Sequence, residues 1–407
     1  MRVLFVHNNF PGQYRRLASF LHRDPSFDMM ALTLESNKQT SAIPTVRYKP
    51  HRPVTPNIHP AVANFEGSII NAQNAFQALI NLKEKKWRPD LICGHSGFGP
   101  TLFLRELWPD VRMLTYFEWF YNTRNSDVDF VHKGAVSYDQ AARLRARNAT
   151  FLVDFSTMDW GVCPTRFQHS QLPKLFRDNI EVLHDGVDTE FFAPSDDDEL
   201  TIGSQTFRRG DEVLTYATRG MEPYRGFPQF MEALEKLQRR RPNLHTIIVG
   251  KDRVAYGDKR RDGKTYKEYA LETLKLDLNR IHFTDLVSLQ TLRSIFRVSS
   301  VHVYLTVPFV LSWSMIEAMS TGVLLLGSDT APVREVVTDG FNGLLVDFFD
   351  PDKIASRIGE ALDRQDKYAP LREAARRTVL ERYDADNLLP CHRQLMMDVA
   401  NGTKSCR

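Results

Sequence analysis

Hydrophobic positions along this chain come in short unbroken runs, and a helix-like stretch follows nearly every one. "RVLFV" (2–6) precedes "QYRRLASFLHR" (13–23), and "DLICG" (90–94) precedes "GPTLFLREL" (99–107). "RMLTYF" (112–117) comes next, "GVCPT" (161–165) precedes "RFQHSQL", and "IEVLHDG" (180–186) closes the series. A strand that is apolar at successive positions is buried on both faces, so the pattern predicts a parallel sheet covered by helices on either side. The rhythm stops at "FFAPSDDDELTIGSQTFRRGDE" (191–212), a polar stretch that reads as a linker or surface excursion. It restarts with "VLTYA" (213–217), "FPQFMEALEKLQRRR" (227–241), "HTIIVG" (245–250), "IHF" (281–283), "LQTLRSIFRVS" (289–299) and "VHVYLT" (301–306). From "DPDKIASRIGEALDRQ" onward the pattern is amphipathic helix to about Val399.

The expected fold class is α/β, with two doubly wound Rossmann-like domains facing across a cleft. A chain of 407 residues exceeds one ordinary core. The expected boundaries are 1–195 and 205–375, followed by C-terminal helices over 376–407 that are free to pack back on the first domain. Ligands in such sheets sit beyond the carboxyl ends of the strands, which directs attention to loops 7–12, 94–99, 117–123, 218–226, 250–257 and 306–314.

Charge and cysteine usage narrow the function. A formal net charge of +3 gives no general argument for a nucleic-acid partner. Cys93, Cys163, Cys391 and Cys406 lie far apart without metal-ligand spacing, as in a reduced cytosolic protein, and no metal site or cofactor is expected. The acid run "SDDDE" reads as solvated linker rather than a metal-binding Asp-x-Asp. The first apolar run is too short for a signal peptide or a membrane span. The expected localisation is cytoplasmic, with peripheral contact at the inner membrane face left open.

Two acids and two arginines stand out. In "SMIE", Ser314 lies three residues before Glu317, the spacing of a capping box. The same helix start, with free N–H groups near Ser312 to Ser314, suits a phosphate, and a carboxylate one turn further suits a vicinal diol such as a ribose. In "YATRGMEPYRGF" (216–227), Arg219 and Arg225 flank the mouth of a strand. They read either as exposed arginines or as paired planar donors for a diphosphate.

Several ordered motifs carry a family resemblance. "IEVLHDGVDTEFFAP" (180–194), "TRGMEPYRGFPQFMEAL" and "EAMSTGVLLLGSDTAPVREVVTDGFNGLLVDFFDP" (317–351) resemble signatures of the retaining GT-B-fold glycosyltransferases of family 4 type, a group that includes glycogen synthases and mannosyltransferases. The resemblance implies a transferase moving a sugar from a UDP- or GDP-linked donor to a glycan, lipid-linked or small-molecule acceptor. It implies that Glu317 binds the nucleotide ribose, that Arg219 and Arg225 bind the donor diphosphate in place of a metal, and that Gly12 lets the backbone approach the donor. Glu335 matches a family glutamate and is expected to be satisfied near its helix start. Phe309 stands where relatives carry a glutamate facing the donor sugar, which leaves the backbone N–H groups of Leu311 to Ser314, Ser312 among them, and the Glu118 carboxylate as substitutes. Glu118 stands where many relatives have a histidine near the reacting sugar, and His95 ends another first-domain strand. Both are expected catalytic residues; the alternatives are a backbone bond for His95 and an arginine partner for Glu118. Two other functions fit the same pattern: a GT-B-fold nucleotide- or glycan-binding protein without catalysis, and a nucleotide-sugar epimerase.

Overall fold

Seven strands form the first sheet: β1 (Arg2–Val6), β2 (Asp28–Leu34), β3 (Thr45–Tyr48), β4 (Leu91–His95), β5 (Arg112–Tyr116), β6 (Trp160–Cys163) and β7 (Ile180–Val182). The structure is a computed structural model and describes residues 1–405, so Cys406 lies outside the described residues. The spatial order is β3-β2-β1-β4-β5-β6-β7, and every pairing is parallel. β1 and β4 are buried almost end to end, as their unbroken apolar runs require.

After a two-stranded antiparallel hairpin, β8 (Glu199–Ile202) and β9 (Gln205–Arg208), the order repeats. β10 (Val213–Gly220), β11 (His245–Lys251), β12 (Ile281–Phe283), β13 (Val301–Tyr304), β14 (Leu324–Ser328) and β15 (Leu344–Val346) form a second parallel sheet, ordered β12-β11-β10-β13-β14-β15. Each sheet therefore reverses its strand order once, between β1 and β4 in the first and between β10 and β13 in the second. Such reversals open a crevice at the strands' carboxyl ends.

The chain divides into two compact units, 1–186 with 385–405, and 187–384. The first segment ends at Gly186, before the expected 195, because Val187 is fully buried in the second unit's core and its N–H donates to the Tyr383 carbonyl (2.7 Å). The helices expected over 376–407 part company. Ala369–Arg382 contributes Ala375 and Val379 to the second core, while Ala385–Ala400 contributes Leu389, Leu395 and Met396 to the first.

The linker reading of 191–212 needs correction. Phe192, Leu200 and Phe207 are buried in the second core, and Phe207 packs its ring edge on His245 and His282 (centroids 5.4 and 5.1 Å). The acid run itself is solvated as expected, with Asp196, Asp197 and Glu199 exposed, while the less exposed Asp198 pairs with Arg297 (3.0 Å) and Asp196 with Arg209.

Candidate functional site

The reversal between β10 and β13 gathers most of the residues singled out in the second unit. β10 ends at Gly220, and a 3-10 turn, Pro223–Arg225, carries the chain into the Phe227–Arg240 helix. Arg225 is 6% exposed. Its Nη1 donates to Tyr304 Oη (3.2 Å) and Thr306 Oγ1 (2.8 Å), and its Nη2 to the Val310 carbonyl (3.1 Å). The guanidinium thus straps the loop after β13 to the loop after β10, and all three of these acceptors are neutral. Arg219, exposed on β10, donates to Tyr256 Oη (3.4 Å). Tyr256 links the two arginines, since the Arg225 guanidinium carbon also lies 5.4 Å from its ring centroid.

Phe309 is 7% exposed and belongs to this wall. Its ring meets Tyr224 edge-on (5.7 Å) and Tyr256 at a tilt (5.2 Å), with Arg225 5.9 Å away. Where the family resemblance leads one to expect a carboxylate, the chain builds an aromatic cluster beside a cation.

Glu222 supports the cluster from beneath. It is fully buried, and its Oε2 accepts from the backbone N–H groups of Ala255 (3.1 Å), Tyr256 (2.8 Å) and Gly257 (2.9 Å). Its Oε1 is buried without a partner. Sequence reading passed over Glu222; the available signal was an acid before a proline at a strand mouth. Tyr256 gave less signal, since an aromatic in the charged 250–269 stretch has nothing to distinguish it.

The Trp313–Ser320 helix begins two residues earlier than its capping-box spacing suggests. Ser312 is the N-cap and accepts from the Ser314 N–H (3.3 Å), so Ser314 is the second helical residue and Glu317 is not at the third. The helix start is also less open than expected. The Ser312 N–H donates to Tyr304 Oη (2.8 Å), and Ser314's is turned to its cap. Leu311 faces the core, and Glu317 is buried within the helix. Glu335 sits at the end, not the start, of the short Ala331–Arg334 helix, where its carbonyl accepts from Arg382 (3.1 Å).

In the first unit the equivalent reversal joins the loops after β1 and β4, and the loop after β5 lies alongside. The Asn9 N–H donates to His7 Nδ1 (2.8 Å), which leaves the ring proton on Nε2, facing Gln13 Oε1 (2.7 Å). Gln13 Nε2 then donates to Glu118 Oε1 (2.8 Å). His95, the last residue of β4, gives its Nδ1 proton to the Ser96 carbonyl (3.0 Å). Its Nε2 is therefore a lone pair. It is buried without a hydrogen-bond partner and lies 3.9 Å from Glu118 Oε2. Burial pulls His95 down to about 4, against a smaller upward pull from the Ser96 carbonyl, so near pH 7 this is not an ion pair. Two acceptors face each other, and a hydroxyl placed beside both can donate to either.

Gly12 (φ +45°) is required by a neighbour within the chain: a Cβ there would lie 2.5 Å from His7 Cε1. Asp154 fixes the loop after β4 through Ser96 Oγ (2.7 Å), Thr101 Oγ1 (2.6 Å) and the Gly97 N–H (3.2 Å), and burial still pushes its carboxyl up to about 6. The structure therefore brings His95 within 3.9 Å of Glu118, and two residues that sequence reading missed connect them: Gln13 bonds both Glu118 and His7, and the His7 ring packs edge-on against His95 (centroids 4.8 Å). It joins Arg219 and Arg225 through Tyr256.

Two doubly wound parallel sheets with polar groups at both order reversals define a GT-B-type architecture. The glycosyl transferase family 4 group model matches residues 25–192, and the glycosyl transferases group 1 model matches residues 197–378. The chain belongs to the family 4-like GT-B glycosyltransferases. A GDP-mannose-dependent α-(1-6)-phosphatidylinositol monomannoside mannosyltransferase of Mycolicibacterium smegmatis is 25% identical over 232 residues, which cover 54% of this chain and 57% of that relative. Among solved structures, sucrose-phosphate synthase from Thermosynechococcus elongatus superposes with a TM-score of 0.71 at 14% identity, covering 99% of this chain and 100% of the other. Anabaena HepE in complex with UDP gives 0.68 at 13% identity, covering 98% and 100%. Likeness at these identities speaks to the fold.

Proposed function

We propose that the chain is a retaining, metal-independent glycosyltransferase that takes its sugar from a nucleoside-diphosphate donor. The observation that carries this reading is Arg225, a buried guanidinium at the second unit's order reversal whose hydrogen-bond partners are neutral, with exposed Arg219 joined to it through Tyr256. A buried cation favours an anion, because little water screens it, and the nearby buried Glu222 carboxylate offsets only part of that charge. A diphosphate leaving group gains charge as the sugar departs, and donors already in place stabilise that charge without reorganising. Glu317, buried behind the same loop, is assigned to the ribose hydroxyls.

In the first unit, the lone pair of His95 Nε2 and the Glu118 carboxylate are assigned to the acceptor hydroxyl, with His7 and Gln13 holding Glu118 in place. The GDP-mannose dependence of the M. smegmatis relative and the UDP and UDP-glucose complexes of HepE support a nucleotide-sugar donor. A glycan or lipid-linked acceptor is part of the same proposal, as is a cytoplasmic location. Among the described residues no helix is long and apolar enough to cross a membrane.

Calorimetric titration with UDP, GDP, UDP-glucose and GDP-mannose tests the donor. At least one should bind, and Arg219→Ala should weaken it by roughly tenfold or more, the worth of a charged hydrogen bond. If no nucleoside diphosphate binds, the reading fails. Phe309 favours a second reading, a donor-binding protein without catalysis, because an aromatic cluster stands where a sugar-facing acid is expected. Donor hydrolysis separates the two: an active transferase releases some sugar to water, and a binding protein releases none.

A further inference from the structure

The first unit contains a second polar cavity that the transferase reading does not use. It measures about 410 Å³. Arg124 comes from the loop after β5, Arg145 from the last turn of the Tyr138–Arg147 helix, and Lys174 and Arg177 from the short Lys174–Arg177 helix. These four cations line it, and among the described residues that line it none is Asp or Glu. Neighbouring charges are satisfied elsewhere. Arg143 pairs with Asp139 (2.8 Å), and Arg147 lies over the Tyr121 ring (4.0 Å). Asp129 accepts from the backbone N–H groups of Asn125 (2.6 Å) and Ser126 (2.9 Å). Among the described residues, Arg124, Arg145 and Lys174 make no side-chain hydrogen bond or ion pair. Arg177 is fixed by the Leu172 carbonyl (2.8 Å).

Like charges gathered without a counter-charge repel, and an anion turns that repulsion into attraction. Guanidinium forks also match the geometry of oxyanions. We propose that this cavity binds a phosphate-type oxyanion, carried either by a soluble substrate or by a lipid headgroup. It is built on the loop that carries Glu118: Gln168 donates to the Glu118 carbonyl (2.7 Å), and Asn122 on the same loop donates to the Gln171 carbonyl (2.8 Å). An anion held here sits on the acceptor-side machinery and not on the donor loops. Leu175, beside Lys174, is 82% exposed, so the headgroup source needs its own arm in the test. The proposal does not rest on donor binding by the second unit, and it stands or falls separately.

The test compares the full chain with the Arg124→Ala/Lys174→Ala double variant. Inorganic phosphate is titrated by calorimetry, and sedimentation is measured with phosphatidylglycerol and phosphatidylcholine vesicles. The double variant is expected to melt no lower than the parent, since the two side chains make no bond in the fold. Phosphate binding weakened tenfold or more in the variant supports a soluble source. Binding to phosphatidylglycerol alone, falling with salt and lost in the variant, supports a headgroup. Binding of neither probe, binding equal in parent and variant, or a variant that melts well below the parent overturns the proposal.

Discussion

Glu222 anchors the loop after β11. One carboxylate oxygen accepts three consecutive backbone N–H groups, and the third residue of the trio leaves no room for change, since a Cβ on Gly257 would lie 2.9 Å from Tyr224 Cδ1. The consequence reaches the site through Tyr256, the middle donor, whose hydroxyl meets Arg219 and whose ring meets Phe309 and Arg225. Glu222→Ala should cost about 2–5 kcal/mol, because three hydrogen bonds to a charged acceptor go at once and their donors must find water. Amide hydrogen exchange should quicken at residues 253–258 while the core strand β10 stays protected. Donor affinity should fall with it, although Glu222 is assigned no contact with the donor. Unchanged exchange in that loop would show that Tyr256 is held by something else.

At the scale of elements, the strap between the β10 and β13 loops depends on how closely they approach. Gly226 adopts φ +64° between the 3-10 turn and the Phe227–Arg240 helix, and a Cβ there would lie 2.5 Å from Leu305 Cβ and 3.1 Å from Phe348 Cε2. Gly226→Ala meets both costs, about 1–2 kcal/mol for left-handed backbone and a further ~1–3 kcal/mol for overpacking. Thermal melting should drop accordingly, and donor titration should show weaker binding, because Arg225 precedes the strained residue. A variant as stable as the parent would mean that the loop relaxes freely. These elements also show what sequence could and could not give. Unbroken runs such as "RVLFV" and "VHVYL" announced buried parallel strands, because they are short, rich in β-branched and aromatic residues, and each is followed by a helical pattern. Arg225 was noticed, yet its partners at Tyr304, Thr306 and Val310 lie about eighty residues on, and only the strand order brings them near. The β8–β9 hairpin was missed because "SDDDE" hides Leu200 and Phe207 among charges whose partners are distant arginines. The cap at Ser312 was misread because two serines at neighbouring spacings compete for it.

Across the whole molecule, buried histidines couple folding to acid, most clearly in the first unit. His95, His184 and His392 are buried there, and burial is the leading cause that pulls them to about 4, 3 and 4. Each stays neutral in the fold while an unfolded histidine takes a proton near pH 6.5. Their contribution to stability is therefore intact above about pH 6.5 and is lost as pH falls toward 4. Asp154 works in the opposite direction. Its folded carboxyl titrates at about 6, so the native state takes up a proton there that the unfolded state takes only near 4, and stability is gained as pH falls through 6. Three histidine protons against one aspartate proton leave a net of about two near pH 5.5, a slope of about 3 kcal/mol per pH unit. Trp87, Trp108, Trp119 and Trp160 all lie in this unit, and the second unit has Trp313, so tryptophan fluorescence follows mainly the first. The urea midpoint read by fluorescence should fall steeply between pH 7 and pH 5. Asp154→Asn removes the opposing proton, so its midpoint should fall more steeply still, whatever its stability at pH 7. A midpoint that does not change between pH 7 and pH 5 would mean that these rings already carry protons in the fold. His95 Nε2 would then be a donor to Glu118 and not the lone pair assigned to the acceptor hydroxyl.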